Sequence, residues 1–143
     1  MPSFHFTQRW FAFFLLYFVV WYPVSFAIVS AYQVTGQPVL YIAANIFTPL
    51  WTLFMSYLYF RKAENNWTAR LATALGWMVL MFTLAILLVR PVYGLGWTSI
   101  ANWDVVNANW INVVAIVVGA LAAVRSEQRS SKIKPTVTVG RDR

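Results

Sequence analysis

The sequence predicts an all-α integral membrane protein, in which four transmembrane helices form a bundle and both chain ends lie on the cytoplasmic side (N-in/C-in). Three observations predict this fold. Of the 143 residues, 60% are hydrophobic and only 10% are charged, whereas a soluble domain carries about 25% charged residues. The apolar residues are concentrated in four long runs. The basic residues lie at the ends of those runs, almost all on one side, as is typical of membrane topology.

Each apolar run is long enough to cross a membrane as a helix. The runs cover residues 10–32, 39–60, 69–89 and 104–124. Their lengths, about 21 to 23 residues, correspond to roughly 31–35 Å, against a hydrocarbon core of about 30 Å. Because lipid offers no hydrogen bonds to the backbone, and because the runs lack strand-like alternation, they are predicted to be helices. Residues 1–124 then form one transmembrane domain, and the polar, basic residues 125–143 form a disordered cytoplasmic tail.

The distribution of Lys and Arg predicts the orientation of the bundle. Arg9 precedes the first run, and Arg61, Lys62 and Arg70 lie between the second and the third. Six more basic residues follow the fourth run, so ten of the 11 Lys and Arg residues share one side and only Arg90 lies on the other. Basic loops stay in the cytoplasm. The short loops and small size favour the bacterial cytoplasmic (inner) membrane.

Small residues at helical spacing predict the faces through which the helices pack, because they let two backbones approach closely. On helix 4 this packing face consists of Ala108, Asn112, Ala115, Gly119 and Ala122. On helix 1 the corresponding residues are Ala12, Leu16, Pro23, Ala27 and Ser30, opposite a broad aromatic face. We expect these small-residue faces to point into the bundle, or one of them to form the seam of a dimer.

Helix 2 carries a polar seam, which consists of Asn45, Thr48, Thr52 and Ser56. These residues are spaced three, four and four apart, so at about 100° per residue they lie within about 80° of one another. Pro49 provides no N–H for the carbonyl of Asn45, which predicts a bend there. The seam has two interpretations: it forms hydrogen bonds with neighbouring helices, or it lines a path for water or a small solute.

The outer side holds two further groups of polar residues. Arg90 ends the third run and Asp104 begins the fourth, and these ends can meet in an ion pair because consecutive helices are antiparallel; the alternative is two separately solvated charges. A carboxylate also suits the start of a helix. The second group is an outer polar surface formed by Asn102, Asn107, Asn109 and Asn112. This surface is a candidate for external binding, or an interfacial segment that meets only water and headgroups.

The residue inventory argues against catalysis. There is no cysteine and only one histidine, His5, which excludes thiol chemistry and a metal or haem held by histidines of one chain within the bilayer. The runs contain no Asp, Glu, Lys or His at mid-depth, and no catalytic set or phosphate-binding loop can be recognised. We therefore expect no enzyme activity, no cofactor and no metal.

Contact with lipid or with another membrane protein is the function that remains. The net charge of +7 is spread over segment ends instead of one folded face, so nucleic-acid binding is not expected. We predict an accessory, assembly or interaction subunit that acts by helix packing with another membrane protein. The alternative is a passive channel or transporter for a small solute or ion, formed by a homo-oligomer along the polar seam of helix 2.

Overall fold

The computed structural model describes residues 7–63, 65–89 and 109–133. Within these ranges the chain forms four α-helices and no strand, which confirms the predicted helical class. The elements are α1 (Gln8–Thr35), α2 (Pro38–Phe60), α3 (Trp67–Leu84) with a π-helical extension (Ala85–Val89), and α4 (Trp110–Ile133). Three helices are long and apolar enough to span a membrane, counting α3 with its extension, and the apolar part of α4 in the described residues is shorter.

The ends of α1 and α2 follow from local sequence. The side chain of Thr7 accepts a hydrogen bond from the Trp10 backbone N–H at 3.2 Å and caps the start of α1. Gly36 ends the helix with a φ of 64°, a left-handed conformation that glycine adopts without strain, and its N–H donates to the Tyr32 carbonyl. Pro38 then begins α2 at a position where its missing N–H has no cost. The two helices therefore form a tight antiparallel hairpin.

Helix α2 is the centre of the bundle. It packs most extensively against α4 and next against α1, while α3 packs on α4 and touches α1 only over a short stretch. The order around the bundle is therefore α1, α2, α4, α3, and the side between α1 and α3 is the least closed.

Burial among the described residues is confined to one half of the bundle. Buried side chains lie only at positions 10–18 of α1, 52–60 of α2, 69–77 of α3 and 115–123 of α4. These stretches meet in one apolar core beside the loop at 61–66. We call this end the packed half and the opposite end the open half.

Helix α1 packs through its aromatic face, so the expectation that its small-residue face points inward is wrong. Trp10, Phe14 and Tyr17 are buried, whereas Ala12 is exposed. Their ring centroids lie 6.4, 6.5 and 5.8 Å from the Trp77 ring of α3. Aromatic rings gain directional contacts with one another, and Trp and Tyr also find hydrogen-bond partners inside the bundle. Small residues offer neither gain.

Helix α4 approaches α2 closely at Gly119. A Cβ at this position would collide with Ser56 Oγ and would lie 2.5 Å from the Leu53 carbonyl oxygen. The missing side chain is therefore what lets the two backbones come together. The other members of the predicted packing face are buried (Ala115), half-buried (Ala122) or outside the described residues (Ala108).

Helix α4 continues to Ile133, beyond residue 124, where the sequence predicts a disordered tail. The described part of that tail, residues 125–133, is helical, and the predicted division into a domain and a tail stays a prediction. Arg and Gln are good helix formers, and extending an existing helix is easier than starting one. Residues 104–108 of the predicted fourth helix and residues 134–143 of the tail lie outside the described residues.

Replacing Gly119 with Ala tests the close approach of α4 to α2. Helix propensity and crowding change the stability of this variant in opposite directions. Alanine is favoured over glycine in a helix by about 1 kcal/mol. The added methyl group meets Ser56 and the Leu53 carbonyl, and overpacking of this kind costs about 1–3 kcal/mol. We expect Gly119→Ala to lower the thermal unfolding temperature in detergent, and to lower it less when Ser56 is also replaced by Ala. A higher unfolding temperature for Gly119→Ala would contradict the contact.

Candidate functional site

Three of the four residues of the polar seam face the inside of the bundle. Thr52 and Ser56 are buried and Thr48 is half-buried, whereas Asn45 is exposed. Ser56 Oγ donates to the Leu53 carbonyl of its own helix at 3.0 Å and approaches the Ala115 carbonyl of α4 at 3.5 Å. The seam therefore joins α2 to its neighbours, and only its Asn45 end points outward. Helix α2 remains α-helical through Pro49, and the bend expected there stays a prediction.

The Tyr17 hydroxyl of α1 lies 3.0 Å from Thr52 Oγ1 in the buried interface with α2. Thr52 Oγ1 donates its proton to the Thr48 carbonyl at 2.8 Å, so Tyr17 must be the donor to Thr52. The Thr48 carbonyl that accepts this bond belongs to the residue directly before Pro49. Each polar group in this short chain is satisfied without water, as a buried site requires.

Two tryptophans extend the same interface. The Trp21 indole Nε1–H donates to Thr48 Oγ1 at 3.0 Å, and the Trp51 Nε1–H donates to the Tyr17 carbonyl at 3.1 Å. A step of four residues from Tyr17 to Trp21 on α1 is matched by a step of four from Thr52 to Thr48 on α2. Indole and hydroxyl groups thus fix the register of the α1–α2 hairpin.

An interhelical cavity of about 180 Å³ lies beside this network, where all four helices meet, and it is partly open. Its wall combines aromatic rings, thioether side chains and a few hydrogen-bonding groups. The lining residues are Tyr17, Trp21, Thr48, Thr52, Trp77, Met78, Met81, Phe82, Asn109, Asn112 and Ile116. The polar seam therefore contributes Thr48 and Thr52 to the wall of this cavity.

Two residues of the cavity wall hold a polar atom that is enclosed and has no hydrogen-bond partner. These atoms are the donor Nε1 of Trp77 and the acceptor Oδ1 of Asn112. The amide nitrogen of Asn112 is already used, because it donates to Asn109 Oδ1 at 2.9 Å. An unpaired buried donor or acceptor costs about 1–3 kcal/mol. Trp77 and Asn112, both residues of the cavity wall, thus keep an unused donor and an unused acceptor.

The predicted outer polar surface is only partly within the described residues. Asn109 and Asn112 are hydrogen-bonded to each other and line the cavity. Asn102, Asn107 and both members of the predicted ion pair, Arg90 and Asp104, lie outside the described residues.

Arg9 closes the end of the packed half. Its guanidinium donates to the Lys62 carbonyl at 2.5 Å and to the Tyr59 carbonyl at 3.0 Å. It also lies over the rings of Phe13 and Tyr59 at 5.3 and 5.6 Å. A cation at the carbonyl end of α2 complements the helix dipole. A residue that the sequence marks only as an orientation signal therefore also caps a helix.

Arg70 and Asn65 join α3 to α4 at the same end. Arg70 is only 7% exposed, its Nε donates to Asn65 Oδ1 at 2.8 Å, and its guanidinium lies 4.8 Å from the Trp67 ring centroid. Asn65 Nδ2 in turn donates to the Ala120 carbonyl of α4 at 2.8 Å. The sequence gives no signal for this role, since Asn65 lies in a short polar loop without a recognisable motif.

In the part of the chain that the structure describes, no group of three or more His, Cys, Asp or Glu residues could hold a metal ion. Comparison with protein-family models, curated proteins and solved structures finds no match. The class of protein therefore rests on the fold: a helical protein with three helices long and apolar enough to span a membrane, and with a mostly apolar interhelical cavity.

A double-mutant cycle between Tyr17 and Thr52 tests the buried network. We expect Tyr17→Phe and Thr52→Val to be coupled by about 0.6 kcal/mol, and by no more than about 1.7 kcal/mol, because interhelical hydrogen bonds in membrane bundles fall in this range. Unfolding of the four variants in mixed detergent micelles measures the coupling.

The matched control pairs Tyr22→Phe with Thr52→Val. Tyr22 lies on the same helix, but its hydroxyl makes no hydrogen bond to a described residue, so the two free-energy changes should add. A coupling of zero for the Tyr17 pair would mean that this bond does not hold α1 to α2.

Proposed function

We propose that this chain is an integral four-pass protein of a bacterial cytoplasmic membrane, with both termini in the cytoplasm, that works by binding another membrane protein and not by catalysis. Three helices have the required length and hydropathy. In addition, Arg9, Arg61, Lys62 and Arg70 all lie at the packed end of the bundle. Such clustering of basic residues supports a cytoplasmic packed end.

The observation that carries this proposal is the exposed amide of Asn45. It lies about a third of the way along α2, in the open half, on a helix of mostly apolar residues. Its Nδ2 donates to the Tyr41 carbonyl of the same helix at 2.8 Å, and its Oδ1 accepts no bond from a described residue. An amide facing hydrocarbon is unfavourable, and Asn side chains hydrogen-bond across membrane helices for this reason. A second helix that supplies a donor would satisfy Asn45.

The open half provides the surface for such a helix. After Phe18 in α1 and before Thr52 in α2, no described residue is buried. Large apolar side chains surround Asn45 on the outside of α2, including Tyr41 at 59% and Ile42 at 54% exposure. A partner helix packed here would cover apolar surface and Asn45 together, which gives both contact area and specificity.

The orientation of the polar seam favours a packing role over a solute path. A pore between protomers would need Thr48, Thr52 and Ser56 on the outside of the protomer, yet these residues face α1 and α4. A path through one protomer would have to cross the packed half, where the core residues are tightly enclosed. Helix packing with a partner requires neither an outward-facing seam nor a path through the packed half.

Photo-crosslinking in native membranes tests the proposal. A photoreactive phenylalanine analogue at Tyr41 lies one turn from Asn45 on the exposed side of α2. We expect it to give one discrete adduct heavier than the protomer, identified by mass spectrometry, and we expect Asn45→Leu to reduce that adduct severalfold.

The matched control places the same analogue at Leu75 of α3, which is 63% exposed but belongs to the packed half. This position should give only lipid adducts. Equal adducts from both positions, or none from Tyr41, would contradict a partner site at Asn45. An adduct of twice the protomer mass would point to a second copy of this chain instead of another protein.

A further inference from the structure

We propose that the interhelical cavity is a binding site for a small, neutral aromatic molecule that carries a hydroxyl group and enters from the lipid. This inference rests on the membrane insertion proposed above, but not on the partner site at Asn45. It follows from the size of the cavity, the composition of its wall and its two unpaired polar atoms.

The size of the cavity suits a single substituted ring. Its volume is about 180 Å³, and a cavity of about 150 Å³ in a protein interior holds a benzene molecule. The additional volume leaves room for one or two substituents. A branched lipid headgroup or a nucleotide is too large for this space.

The wall of the cavity suits a flat aromatic molecule. Trp21 contributes its ring from α1, while Trp77 and Phe82 contribute theirs from α3. Met78 and Met81 contribute two thioethers to the same wall. Aromatic pairs and sulfur–ring contacts are each favourable beyond the area they bury. Methionine also adapts its shape to the molecule it meets.

The unpaired polar atoms select for a hydroxyl group. Trp77 is 1% exposed, and its Nε1 has a proton to donate and no acceptor. Asn112 Oδ1 has lone pairs and no donor. A hydroxyl group both accepts and donates, so it can serve either atom, whereas an ether, a ketone or a hydrocarbon leaves the acceptor of Asn112 unpaired. The Thr48 hydroxyl accepts from Trp21 and keeps its own proton for a further bond.

The described residues of the wall carry no charge, which favours a neutral molecule. None of the lining residues given above carries a formal charge at neutral pH. Transfer of an ion into such a site is strongly unfavourable without a counter-charge. Carboxylates and ammonium ions of the same size should therefore be excluded.

Fluorine NMR of the protein in lipid nanodiscs tests the site, with 4-fluorophenol as the probe and empty nanodiscs as the reference for partition into lipid. We expect saturable binding of 4-fluorophenol that is at least about twofold tighter than that of fluorobenzene, because one or two hydrogen bonds are added at a net gain of about 0.5–1.5 kcal/mol each. The anion 4-fluorobenzoate should show no saturable binding.

Two variants locate the probe. Trp77→Phe removes the unpaired N–H and should weaken 4-fluorophenol about 2- to 10-fold. Its matched control is Trp67→Phe, since Trp67 lies on the same helix, is 60% exposed and is not among the lining residues, and binding should not change. Met81→Trp fills the cavity and should abolish saturable binding, while thermal unfolding in detergent shows that the variant is folded.

Three results would overturn the proposal. Equal affinity for fluorobenzene would mean an apolar void without hydroxyl recognition. No saturable binding of either compound would mean that water alone occupies the cavity, and binding that survives Met81→Trp would place the probe elsewhere. The Tyr41 crosslink is read in separate membranes and does not involve the cavity, so either proposal can fail without the other.

Discussion

Hydrogen bonding without access to water is the constraint on which the rest of this structure depends. Helices satisfy the backbone within each segment, but polar side chains on apolar helices need partners on neighbouring helices. Tyr17, Trp21 and Trp51 find theirs across the α1–α2 interface, and Trp10 donates to Thr73 of α3 at 3.2 Å. Each bond contributes little to stability. Together they determine which faces meet, because any other rotation of α1 would separate these donors from their acceptors.

The same constraint divides the bundle into two unlike halves. In the packed half, aromatic rings, the missing side chain of Gly119 and the guanidinium of Arg9 bring the described helices into close contact. In the open half the described helices bury no residue, and the cavity lies at the boundary between the halves. Unpaired polar atoms occur at this boundary and beyond it, at Trp77, Asn112 and Ser25.

Hydropathy alone predicts the helices, and the first three begin and end within a few residues of the apolar runs. The spacing of Thr48, Thr52 and Ser56 also predicts that they share one face of α2. Their partners could not be predicted because α1 has aromatic residues on most of its surface, so no single ring stands out. One signal was present: Tyr17 and Trp21 have the same four-residue spacing as Thr48 and Thr52.

The small-residue rule fails for α1 because buried rings gain contacts that small residues lack. The roles of Arg70 and Asn65 depend on where α4 passes, which no local pattern encodes.

Accessibility of single cysteines from the two sides of the membrane tests most directly whether lipid is the solvent of these helices. The chain has no cysteine of its own, so Gln37→Cys, between α1 and α2, and Lys62→Cys, between α2 and α3, each report one loop. With a membrane-impermeant thiol reagent, we expect the cysteine at position 37 to be labelled in intact spheroplasts and that at position 62 only after lysis. Labelling of both before lysis, or recovery of the protein in the aqueous fraction, would contradict a chain that crosses the membrane between them.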